Sequence, residues 1–194
     1  MKIGALAAVG GIAWKACKSY SEQQANDRAF NRVKYQDYAS NQQSQQVREA
    51  SHFAYQDQSL KEPQFAAVVS ETNIEGQLLL PRAMLAAAHA DGHIDQKERM
   101  KIFDNVDAMD LSTEDKSSLF DEMRSPLSIQ QLVDILPRSE AAAEVYAISA
   151  LTIDLSEDRS HLYLDQLARM LCIPSQLQHA LEQTANDARM SVYA

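Results

Sequence analysis

Two stretches of this chain are apolar on every side of a helix, and that limits the folds open to it. Gln77 to Ala90 carries Leu78, Leu79, Leu80, Met84, Leu85, Ala86, Ala87 and Ala88. Glu140 to Ile153 carries Ala141, Val145, Tyr146, Ile148 and Leu151. A helix without a polar face has nothing to turn toward water and belongs in the middle of a bundle. Two such helices need amphipathic neighbours to cover them, and the sequence around them supplies those neighbours.

Pro81 is tolerated in the first turn of a helix, so the first apolar helix is expected to begin close to it and to stop at Asp91-Gly92. The next helix is expected after Ile94, with Asp95 as N-cap and Glu98 three residues on, the capping-box spacing. Its inward stripe would be Met100, Ile102, Phe103 and Val106. Ser112 caps a further helix, with Asp115 in its first turn and Leu119, Phe120 and Met123 inward. A short helix is expected near Ser128 to Ile135. Beyond the second apolar helix, Leu162 to Leu171 is amphipathic through Leu164, Leu167 and Leu171. Pro174 and Ser175 open a last helix with Leu177, Ala180, Leu181 and Ala185 at helical spacing. The expectation is an all-α, compact bundle of about seven helices with two central apolar helices, spanning residues 75–194.

A leader, residues 1–19, and a polar Gln-rich linker, residues 20–74, precede the bundle. Ile3 to Trp14 is an unbroken apolar run. As a helix it spans roughly 18 Å, short of the ~30 Å hydrocarbon core. Three readings compete: a signal-peptide core, a short membrane anchor with Lys15 and Lys18 snorkelling, and an apolar arm packed on a partner. Membrane association is favoured. Lys15, Lys18, Arg28, Arg32 and Lys34 follow the run and only Lys2 precedes it, so insertion would leave the helical domain on the cytoplasmic side. The linker reads as a tether, because its polar composition buries little core.

The net charge of −9 argues against a nucleic-acid binder, which needs a basic face for phosphates. Cys17 and Cys172 are far apart and lack CxxC spacing, which points to a reducing compartment rather than a disulfide framework.

A weak internal repeat connects the two apolar helices. A shift of 63 residues lays Asp91 on Asp154 and Asp95 on Asp158. Each apolar helix would then end in a carboxylate. The run Ala90-Asp91-Gly92-His93-Ile94-Asp95-Gln96-Lys97-Glu98-Arg99 resembles the helix–turn of TerB-like domains. Glu144-Val145-Tyr146, Ala150 to Asp154 and Tyr163-Leu164 resemble the second signature of that family. With its apolar leader and polar linker, the chain is most similar to the YebE-like branch of uncharacterised bacterial inner-membrane proteins. The resemblance implies an all-helical fold, a role for acidic residues in metal binding, and a link to envelope or metal and oxyanion stress. After Asp154 the chain departs from the family pattern, with Ser156 and Ser160 where acidic residues are usual.

Asp91, Asp95, Glu98 and Asp154 are therefore the candidate metal ligands, for calcium or a similar hard cation that needs several oxygens. The order around Gly92 matches the second half of an EF-hand loop, but Ala87 and His89 occupy ligand slots of the first half. Helix capping accounts for the same acids without a metal. His89 and His93 are spaced as zinc ligands can be, yet the general base of a metalloprotease is missing. Cys172 reads as a small core residue. Tyr146 and Tyr163 read as core residues whose hydroxyls reach polar partners, and Glu114, Asp115, Asp121 and Glu122 as a solvated face.

The leading expectation is a non-enzymatic binding module at the bacterial inner membrane, with an unknown protein partner and a divalent cation at its acidic turn. The alternatives are an enzyme using paired carboxylates on a small substrate, and a purely structural interaction scaffold.

Overall fold

The computed structural model describes residues 4–31, 74–90, 96–107, 111–136, 139–153, 155 and 157–192. Helix is the regular secondary structure of these residues. Eight helices follow in order: α1 (Gly4–Asn31), α2 (Ile74–Ala88), α3 (Gln96–Asp107), α4 (Thr113–Glu122), α5 (Ile129–Asp134), α6 (Ser139–Thr152), α7 (Asp158–Met170) and α8 (Ser175–Val192).

At the centre is α6. Every residue from Ala141 to Ala150 is buried, because α1, α2, α7 and α8 all pack on it. On α2, Leu78 to Ala88 is buried except for Arg82, which turns outward and grips Glu122 of α4 through both carboxylate oxygens, at 2.8 to 3.1 Å. Glu122 is thereby taken out of the solvated acidic face in which the sequence placed it. These two helices and their cover make an all-α bundle whose core is one continuous apolar cluster.

The helix starts follow the local chemistry. The Ser112 hydroxyl accepts from the Asp115 N–H at 3.1 Å, and Ser128 forms a full capping box with Gln131 at the start of α5, so both ends satisfy otherwise orphan donors. At the end of α7, the Cys172 N–H donates to the Arg169 carbonyl and the Ile173 N–H to that of Ala168, the Schellman pattern. Cys172 occupies its left-handed position at φ 52°, where glycine is the usual residue.

Two expectations change. α2 starts at Ile74 and runs through Pro81. Proline cannot donate to the carbonyl four residues back, and the burial of the turns on both sides outweighs that loss. On α3, Ile102 and Val106 are buried, but Met100 is 60% exposed and Phe103 38%. The helix meets the bundle on a narrower stripe than its apolar content implied.

The leader is the largest correction. Val9, Ala13, Ala16, Cys17 and Tyr20 are buried, at the spacing of one helical face. α1 packs that face on α6 and α8 and leaves Lys15, Lys18 and Glu22 exposed. It continues to Asn31, so the first residues of the polar segment extend the same helix. No helix of the described residues is long and apolar enough to cross a membrane. The expected membrane anchor, the membrane contact through residues 3–14 and the inner-membrane location are corrected accordingly: Val9, Ala13 and Ala16 of the leader meet protein.

Candidate functional site

The sequence placed its site at the ends of α2 and α6. After Ala88, α2 finishes in a turn in which the His89 N–H donates to Leu85 and the Ala90 N–H to Ala87. Asp91, Asp95 and Asp154 lie outside the described residues, as does the side chain of Glu98. α3 begins at Gln96, directly after Asp95. The two parent helices do pack side by side.

At the end of α6 the charge is positive. Arg189 of α8 donates from Nη2 to the carbonyl oxygens of Ala150, at 2.6 Å, and Ile153, at 3.2 Å. A guanidinium satisfies the orphan carbonyls of a helix C-terminus and complements its partial negative charge. Among the described residues no three His, Cys, Asp or Glu side chains come together in a way that could hold a metal ion. The expected divalent cation is corrected on that ground, and with it the expectation of metal binding.

The buried polar chemistry lies elsewhere, on the inner helices. The Tyr146 hydroxyl, inside the core on α6, donates to Glu182 Oε1 of α8 at 2.6 Å. Gln178 Nε2 donates to the same oxygen at 3.1 Å and to Asp165 Oδ1 of α7 at 2.9 Å. One chain of hydrogen bonds therefore ties three helices together. Burial holds the Tyr146 phenol well above the usual range, and the Glu182 carboxylate beside it adds to the effect. Tyr163 on α7 is pushed up to about 12 by burial, partly offset by the Ser149 hydroxyl. Both phenols stay protonated near neutral pH, and the Tyr146 hydroxyl acts as a donor, not as a base or nucleophile. Glu144 is fully buried on α6. Sequence reasoning quoted it only as part of a family signature, although a charged residue between three alanines and Val-Tyr was a readable sign of a buried polar position.

On the surface, the outer side of α4 forms a shallow, open groove of about 660 Å³ lined by Glu114, Asp121 and Glu122 with Thr113, Ser117 and Ser118. An apolar ridge runs beside it. Met100 and Phe103 are one turn apart on α3, and the Phe103 ring packs on Phe120 of α4 with centroids 4.3 Å apart. Phe120 in turn lies one turn from Ser117 in the groove.

The family model described as "Protein of unknown function (DUF533)" matches residues 1–185. The chain belongs to the DUF533 family. Its bundle is a TerB-like helical domain, as the two signatures implied. This DUF533 chain is 29% identical over 131 residues to the "Uncharacterized protein in ampR 5'region" of Yersinia enterocolitica, an overlap covering 68% of this chain and 94% of that protein. No solved structure matches it.

Proposed function

We propose that this DUF533 protein is a protein-interaction module whose working surface is the α3–α4 face. One observation carries the reading: Met100 is 60% exposed and Phe103 38%, one turn apart on α3, and the Phe103 ring packs on Phe120 of α4, the helix that carries the acidic face. Large side chains exposed together and bordered by polar residues are typical of binding surfaces. The scaffold behind them suits that use. The α2–α4 ion pair and the Ser112 cap fix α4, so a partner meets a surface that is already ordered.

In this reading Asp95 and Glu98 serve as capping residues of α3, and Asp91 and Asp154 follow the ends of α2 and α6 in sequence without a metal role. The start of α3 one residue after Asp95 supports that role for Asp95 and, at the third helical position, for Glu98. The order of an apolar leader followed by a TerB-like domain supports placement in the YebE-like branch.

The test is site-specific photo-crosslinking in cells. A photo-reactive amino acid replaces Met100 in one variant and, as control, Gln166 on the exposed side of α7 in another. Discrete adducts from position 100 and none from 166 are expected. No adduct from 100, or the same ladder from both positions, removes the proposal.

A further inference from the structure

The geometry points to a basic amphipathic helix of another protein as the partner of the α3–α4 face, an inference that rests on the interaction surface proposed above. The two halves of the face set the chemistry of the occupant. Met100 and Phe103 offer apolar contact at one edge. On α4, which Phe103 meets through Phe120, the groove presents Glu114 and Asp121, and among the described residues no basic side chain lines it. Glu122 already has a cation in Arg82, whereas Glu114 and Asp121 are exposed. A ligand that satisfies both halves has an apolar stripe and, beside it, Lys or Arg. A helix carries those two features on adjacent faces, and helix-in-groove recognition uses that arrangement.

Charge also decides between this occupant and a second copy of the chain. Two-fold pairing through the same face would set Glu114 and Asp121 of one copy close to those of the other, and like charges across an interface are strongly disfavoured. The net charge of −9 repels a second copy at longer range and attracts a cationic partner.

The experiment uses the full chain and two labelled synthetic peptides, an amphipathic Leu/Lys helix and its Leu/Glu counterpart, with binding read by fluorescence anisotropy. The Leu/Lys peptide is expected to bind saturably and to weaken as salt rises. Neutralising the groove with Glu114→Gln and Asp121→Asn together is expected to weaken it about tenfold, roughly two rim charge pairs. Met100→Ser is expected to weaken it as well, while circular dichroism confirms the fold of each variant. Equal binding of the Leu/Glu peptide, or indifference to the neutralised groove, overturns the assignment. If neither peptide binds while position 100 still forms adducts, the interaction face stands and the basic helix falls. Concentration-dependent dimerisation abolished by Met100→Ser also overturns it, in favour of a second copy.

Discussion

α6 and α3 both carry large apolar side chains, and the bundle treats them in opposite ways. Along α6 everything from Ala141 to Ala150 is buried, including Glu144 and Ser149. Along α3, Ile102 and Val106 are buried, while Met100, only two residues before Ile102, stays exposed. The difference lies in the neighbours. α6 is enclosed by α1, α2, α7 and α8, whereas α3 leans chiefly on α2. The same kind of side chain is core in one place and surface in the other because the number of helices packed around it differs.

The contrast can be broken most directly by truncation. Leu85→Ala on α2, itself packed on α6, is expected to cost about 3 kcal/mol, because a fully buried Leu leaves a cavity, and Met100→Ala less than about 0.5 kcal/mol. Urea unfolding of both variants measures this, and equal losses would mean that Met100 is a core residue. The next largest effect is expected at the end of α6. Arg189→Gln removes charge-assisted hydrogen bonds to two carbonyls, at a cost of about 2 kcal/mol. A loss below about 0.5 kcal/mol would show that water replaces the guanidinium there.

High pH offers a third, graded test. The Tyr163 phenol titrates near the ordinary tyrosine value of 10.0 in the unfolded chain and, pushed up by burial, at about 12 in the folded one. The unfolded state thus gives up its proton first, and stability falls as pH rises from about 10 to about 12. The raised phenol of Tyr146 acts in the same direction. The urea midpoint is expected to drop across that window, less so in Tyr163→Phe. A wild-type midpoint that stays flat would place both hydroxyls in water. The smallest change is a gain. Cys172 holds a left-handed conformation, so Cys172→Gly is expected to stabilise the chain by about 0.5–1 kcal/mol. Thermal unfolding that moves down instead would mean that the Cys172 side chain contributes more than the strain costs.

Much of the bundle was legible because helix chemistry is local. Ser112 and Ser128 began their helices where the spacing placed them, and Leu164, Leu167, Leu171, Leu177 and Leu181 are all buried as their periodicity required. Tyr146 found a polar partner, though Glu182 could not be named from the sequence, since it lies 36 residues away. The α3–α4 face was missed for the converse reason: Met100 and Phe103 fit an inward stripe, and nothing local reports that their helix leans chiefly on α2. The acidic turns gave a sharp candidate whose carboxylates lie outside the described residues, and capping explains the visible start of α3.

By itself the sequence determined the helices, most of their ends and the two that had to be central, because capping, glycine, proline and apolar period act within a few residues. Only the tertiary structure decided what the leader touches. A run of Gly, Ala, Val and Ile is equally suited to lipid and to a protein groove, and its periodic burial at Val9, Ala13, Ala16 and Tyr20 comes from α6 and α8, helices encoded more than a hundred residues further along the chain.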